Sequence, residues 1–342
     1  MSDLLTTPEA KEWIKSATER HAGGIFGQLK PAVIWSDARG PDGRLLVAAD
    51  PAVLAGRINS IPHMVLHNHD PGKPKGKILE AKPFVSISGD RFVVAILGFY
   101  AGGEVLGFAD VGLDINEEGI APRHLQALPP DVWIELAVDP REVDALWLDT
   151  VVSSAPVKLK RTHLSHNAAE SASELIRIGL PYIAIVWNPF VTSIASEAGK
   201  ATYTAIREWV RGCAEKLEDR RAPILDIHSF YGDCQVTFLL RGKDVAQHYA
   251  AHDKLSEAAA RAAQIVGRLK DRGQPARQLV YEFDKEATLW YPSYVILDDD
   301  RIVTDSTQLI AIESLPNGLS LGLSQDEQLE PIATLPPETG AT

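Results

Sequence analysis

Sulfur is scarce in this chain of 342 residues, which carries two cysteines, Cys213 and Cys234, and two methionines. So few thiols, with no CxxC or Cys/His spacing, exclude a disulfide framework and a structural zinc ribbon, and a reducing, cytoplasmic location is expected. Long hydrophobic runs are missing too. The apolar stretches around Phe92 to Phe99 and Tyr182 to Trp187 fall far short of the ~18 residues a membrane-spanning helix needs, so no membrane partner is expected. The start of the chain places Glu9, Glu12 and Glu19 where a signal peptide would have a basic start and an apolar run. Basic charge is outweighed, 34 Lys and Arg against 46 Asp and Glu, for a net charge of -12. That balance excludes broad nucleic-acid binding and leaves only a local basic patch at Lys73, Lys75 and Lys77. Beyond Arg301 there is no Lys, Arg or His, while Asp305, Glu313, Asp326, Glu327, Glu330 and Glu338 are all acidic. A loose acidic, Pro-rich tail over 324–342 follows from that composition.

What the chain does have is 45% hydrophobic residues, enough for two packed cores at this length. Thr7-Pro8-Glu9 reads as a helix start, with Thr7 as N-cap, and residues 1–22 form an N-terminal helical segment. A succession of short strands follows: Ala32 to Trp35, Leu45 to Ala48, His63 to His67, Lys77 to Phe84, Arg91 to Tyr100 and Val132 to Val138, with a helix at Pro51 to Ile58. This pattern predicts a mostly antiparallel, β-barrel-like domain over 23–160. A basic connection, Lys158 to His166, then leads into an Ala/Glu-rich helix ending near Ile178. From there the order is strand Tyr182 to Trp187, helix Ser193 to Leu217, strands Ile224 to Phe230 and Gln235 to Leu240, helix Asp244 to Lys270, and strand Arg277 to Phe283. Two further strands, Leu289 to Leu297 and Ile302 to Val303, complete it. The βαββαβ order predicts a ferredoxin-like domain over 161–323, and an α+β fold class for the whole.

The segment that looks most like chemistry is His67-Asn68-His69-Asp70-Pro71-Gly72-Lys73-Pro74-Lys75-Gly76. Imidazoles move protons or bind metals near neutral pH, and the Pro-Gly step supplies a turn to present them. On this reading His69 is the proton acceptor, Asp70 its orienting carboxylate and His67 a second imidazole, with Asn68, Lys73 and Lys75 holding substrate. A well-made turn with rim histidines is the plainer reading of the same residues.

The stretch from Met64 to Tyr100, with its His-Asn-His-Asp, Lys-Pro-Lys-Gly-Lys and Gly-Asp-Arg-Phe-Val-Val-Ala segments, resembles the core of phage prohead maturation proteases, whose barrel is related to herpesvirus assemblin. The resemblance implies a His-Asp pair at a strand end, with His69 as base, and a serine nucleophile in a downstream Gly-Leu-Ser strand. Here that place holds Val111-Gly112-Leu113-Asp114-Ile115, a carboxylate instead of a hydroxyl, and the nearby hydroxyls are Ser86 and Ser88.

A divalent metal ion is the alternative cofactor, held by His67, His69 and Asp114, with metal-bound water replacing the serine. A third reading starts from the hairpin tip Tyr231-Gly232-Asp233, which is similar to the Gly-Asp hairpin of palm-type nucleotide cyclases and implies a nucleotide site at Asp233 with Asp226 as the second carboxylate. The first palm strand ends Val186-Trp187-Asn188-Pro189, without its acid. His248 and His252, four apart on a helix whose stripe runs on through Leu255, Ala259 and Ala262, belong to the core stripe. The aromatics Tyr281, Phe283, Trp290, Tyr291 and Tyr294 belong to packing, and His163 and His166 to solvent.

The expected function is therefore a hydrolase of protease-like barrel type acting on a protein or small molecule. Its alternative is a non-catalytic ligand-sensing or assembly protein, phage-related or anti-phage and compatible with a homo-oligomer. Nucleotide chemistry at Asp233 stands third.

Overall fold

The structure, a computed structural model, describes residues 4–39, 43, 45, 47, 49–115, 133–165, 173–181, 185, 197–311 and 323–325. Its N-terminal part is built around β4 (Arg91–Phe99), whose uninterrupted apolar run suits a strand covered on both faces. Phe92, Val94 and Ile96 pack against α1 (Pro8–Arg20) through Ala10, Trp13 and Ala17. The alternate residues Val93, Ala95, Leu97 and Phe99 pack against α2 (Pro51–Ser60) through Leu54, Ala55 and Ile58. Asp50 caps α2 by accepting from the N–H groups of Ala52 at 2.9 Å and Val53 at 3.0 Å. Thr7 stands at the start of α1 as expected, but its hydroxyl donates to the Leu4 carbonyl and does not cap the helix.

β1 (Gln28–Ser36), β2 (His63–Leu66) and β3 (Pro74–Val85) complete an antiparallel four-stranded sheet in the order β1-β4-β3-β2. The sheet is open. No closed barrel forms among the described residues, because helices cover the two faces and the edge strands β1 and β2 do not meet.

The second sheet is ten-stranded, in the order β14-β7-β6-β8-β9-β10-β11-β12-β13-β5. Its strands are β5 (Val105–Leu106), β6 (Trp133–Val138), β7 (Lys158–Ser165), β8 (Glu174–Gly179), β9 (Pro223–Tyr231), β10 (Cys234–Arg241), β11 (Ala276–Asp284), β12 (Leu289–Leu297), β13 (Ile302–Val303) and β14 (Leu323–Gln325). Three parallel pairs are joined through helices, β6 to β7 by α3 (Ala145–Ser153), and β8 to β9 across a segment that includes α4 (Glu197–Glu215). β10 and β11 are joined by α5 (Val245–Asp253) and α6 (Leu255–Asp271). These helices share one core with one face of the sheet, which includes Leu136, Ile178, Leu225, Phe238 and Leu279.

The fold is thus mixed α+β as the sequence predicts, and its details differ. A ferredoxin-like plait splits each βαβ unit with an intervening strand, whereas β8 pairs directly with β9 and β10 with β11. The helix expected to end near Ile178 is, in its described part, strand β8. Leu175, Ile176 and Ile178 are buried there, so tertiary packing overrides the Ala/Glu-rich local pattern. The boundary expected near residue 160 falls inside β7, whose parallel partner β6 lies on its N-terminal side. The long helix Asp244 to Lys270 is two helices that meet at Lys254. Of the strand expected at Tyr182 to Trp187 only Ile185 is described, as a buried helical residue, and Asn188-Pro189, His166 and nearly all of the acidic tail lie outside the described residues.

The opposite face of the large sheet receives the small one. Phe26, Met64 and Tyr100 join Val280, Tyr294, Ile296 and Ile302 in one apolar cluster, and Asp300 pairs with both Lys77 and Arg277 at 2.6 Å.

Candidate functional site

β2 runs out at Leu66, and His67–His69 form a single 3-10 turn before β3 begins at Pro74. Backbone bonds from His67 to Lys73 at 3.0 Å and from Lys73 back to Asp70 at 2.9 Å close the loop. Asn68 and His69 sit consecutively in the left-handed region, at φ 50° and 60°, which is uncommon for residues other than glycine. Asn68 is exposed, His67 is half-buried, and His69 and Asp70 are buried.

Asp70 does not orient a histidine. Its two oxygens accept from Nη1 and Nη2 of Arg241 on β10, each at 2.8 Å, and Oδ1 also accepts from the Gly72 N–H at 3.0 Å. Lys73 Nζ lies 3.6 Å from Oδ2. The planar guanidinium matches the carboxylate in two parallel bonds and holds the turn against the large sheet. Arg241 also donates to Glu282 on β11 at 3.1 Å. Burial works against its charge, but Asp70 and Glu282 outweigh burial and raise the Arg241 pKa above its ordinary value. Pro71 accepts from the Tyr294 hydroxyl at 2.6 Å. Gly72 is required by this close approach, since a Cβ there would stand 2.2 Å from Glu282 Oε1 and 2.3 Å from Arg241 Nη2.

The other expected site residues scatter. Lys75 donates to the carbonyls of Leu309 at 2.9 Å and Ala311 at 2.6 Å, at the end of α7 (Thr307–Ile310), so it ties that helix to β3. Asp114 is exposed on a segment whose Phe108, Val111 and Leu113 enter the helix-covered core, while Asp70 lies against the opposite face. Among the described residues no three or more His, Cys, Asp or Glu side chains gather to hold a metal, so His67, His69 and Asp114 form no such set. Ser86 and Ser88 share a hydrogen bond of 2.8 Å at the exposed β3–β4 tip. They are separated from His69 by the length of β3, roughly 35 Å.

Asp233 occupies a two-residue hairpin loop after Gly232, whose φ of 60° suits that tight turn. Asp226 pairs with Leu239, five register steps from the Tyr231–Cys234 end, so the two carboxylates stand about 17 Å apart along the strands. They cannot share a metal. His248 and His252 are buried and face carbonyls, His248 those of Ala214 at 2.8 Å and Gly242 at 2.9 Å, and His252 that of Arg207 at 3.2 Å. Trp290 packs edge-on against Phe238 and Phe283 in the helix-side core.

A second polar cluster lies on the face of the large sheet opposite the helix-covered core, where Glu135, Arg177, Asp226, His228 and Thr237 share one side of β6, β8, β9 and β10. Arg177 Nε donates to Asp226 Oδ2 at 2.8 Å, and the Thr162 hydroxyl donates to Glu135 Oε1 at 2.9 Å. His228 stands beside Gly179 in the register, with its pKa lowered by burial and by Arg177, while Asp226 and Glu135 oppose the shift. Apart from Asp226, sequence reasoning passed over these residues, although the signal is present. Ile134-Glu135-Leu136, Ile176-Arg177-Ile178 and Leu225-Asp226-Ile227-His228 each set a polar residue inside an apolar strand.

Comparison with protein-family models, with curated proteins and with solved structures finds no match in any of the three.

Proposed function

We propose that this protein acts by binding, as a ligand-sensing protein, with the His67 to Gly76 turn serving as the joint between its two sheets. The observation that carries the reading is the Arg241–Asp70 pair, which occupies both oxygens of the carboxylate a His-Asp catalytic centre would need. A carboxylate held by both oxygens in a bidentate pair with a guanidinium is fixed in position across the interface, and none of its three side-chain bonds goes to an imidazole. The polar face of β6, β8, β9 and β10 begins beside this joint, so a ligand seated there would bear on the strand that carries Arg241.

The test pairs two measurements on the full chain. Polar small molecules should raise the melting temperature, and peptide and ester hydrolysis should stay at the level of the His69→Ala variant. Turnover that disappears in His69→Ala would overturn the reading. One observation favours that hydrolytic alternative: consecutive left-handed backbone at Asn68 and His69 is strain of the kind that gathers at functional sites.

A further inference from the structure

The Asp226–Arg177 pair differs from the Asp70–Arg241 pair in one respect. Only Asp226 Oδ2 is engaged by Arg177, and Oδ1 has no hydrogen-bond partner among the described residues. Nδ1 of His228 is also without one, and the two atoms lie 4.0 Å apart. Both residues are buried, Asp226 at 1% exposure and His228 at 9%. Buried polar atoms in native proteins are nearly always satisfied by protein, ligand or ordered water, so two adjacent ones with no protein partner mark a place where an outside group can bond.

The spacing describes that partner. Two atoms 4.0 Å apart are too distant to bond each other, yet a single atom about 2.8 Å from each completes both. A hydroxyl fits, because it donates to the carboxylate while accepting from the imidazole N–H. A ligand carboxylate would repel Asp226, and an ammonium would add a second cation beside Arg177.

The surroundings extend the fit. Gly179 lets the His228 ring lie close over its backbone beside Glu135, since a Cβ there would crowd His228 Nε2 at 3.0 Å and Glu135 Cβ at 3.1 Å. Glu135 brings another carboxylate to the same face, two strands away from His228 and so roughly 10 Å off between backbones. Phe230 lies two residues beyond His228 on the same side of β9 and is 57% exposed, an apolar platform about 7 Å along the strand.

We infer that this face binds a polyhydroxylated ring, one hydroxyl seated between Asp226 and His228 and the apolar side of the ring against Phe230. The inference rests on the binding function proposed above and names its ligand class. A free monosaccharide and the ribose of a nucleoside share this chemistry.

Calorimetric titration of the full chain with glucose, galactose, mannose, ribose and uridine tests it. At least one should bind, and the arms tell a hexose from a ribose ligand. His228→Gln and Phe230→Ala should each weaken that binding about tenfold or more. Phe230→Ala, an exposed position, should do so without a change in melting temperature, which separates loss of the site from loss of the fold. Silence with every probe, or binding indifferent to both substitutions, overturns the inference. Stabilisation by other polar molecules in that case leaves the binding function standing, and His69-dependent turnover would overturn that function alone.

Discussion

Removing the guanidinium of Arg241 tests the joint between the two sheets most directly. Asp70 is 5% exposed and accepts three bonds, two from Arg241 at 2.8 Å and one from the Gly72 N–H at 3.0 Å. Arg241→Met leaves Asp70 with Lys73 at 3.6 Å as its nearest cation and leaves Glu282 without its guanidinium. Breaking one side of a buried pair costs about 3–5 kcal/mol, and the partial exposure of Arg241 argues for the low end, about 3 kcal/mol. Asp70→Asn costs less, about 1–2 kcal/mol, because the amide oxygen still accepts from Gly72 and Arg241 keeps Glu282. Since the two substitutions remove the same contact, the double variant should be more stable than the sum of the single losses implies, by about 1–2 kcal/mol. Urea unfolding followed by tryptophan fluorescence and far-ultraviolet circular dichroism gives the four stabilities. If the losses add to within about 0.5 kcal/mol, the pair does not couple the sheets and the joint is misassigned.

Three further outcomes follow from the same geometry. Gly76→Ala should destabilise the chain more than Gly72→Ala, because the new Cβ would meet the Gly98 carbonyl oxygen at 1.9 Å, whereas at Gly72 it meets side-chain ends that can shift by loosening the clamp; equal losses in thermal denaturation would contradict this ordering. Burial is the main reason His63, His228 and His252 have pKa values below the ordinary 6.5. The unfolded chain therefore takes up protons first as pH falls, so their contribution is complete above about pH 6.5 and lost on acidification through the folded-state values. His228→Gln should flatten part of that loss in urea titrations between about pH 7 and 5, and an unchanged slope would count against it. Asp233→Ala should change stability by no more than about 0.5 kcal/mol and leave any bound metal unchanged, and a metal-dependent activity lost with it would restore the nucleotide reading.

The strands and helices with strong local signals were legible in the sequence. The apolar run of β4, the helix beginning at Pro51 and the hairpin of β9 and β10 all stand where periodicity and turn chemistry put them. Pairing was not legible, because it depends on contacts far apart in the chain. The same βαββ order can be split or directly paired, and nothing local distinguishes the two. At β8, Glu174-Leu-Ile-Arg-Ile-Gly179 follows an alanine-rich stretch, and the burial of three aliphatic residues decides for strand.

The candidate site divides along similar lines. A turn at Asp70-Pro71-Gly72 was evident, and its closeness in sequence to two histidines made it look catalytic. Its partner Arg241 lies 171 positions away and reverses the meaning of the carboxylate. The Arg241–Asp70 and Arg177–Asp226 pairs show how such groups can be told apart. Burying an ion pair is costly unless its remaining valences are met, so a pair that serves only to hold two surfaces together should engage both oxygens of its carboxylate, as Arg241 and Gly72 do for Asp70. A pair that serves a ligand must keep one valence in reserve, and the oxygen of Asp226 beside His228 is such a reserve. Proximity in sequence pointed to Asp70. The hydrogen-bond count at each carboxylate points to Asp226.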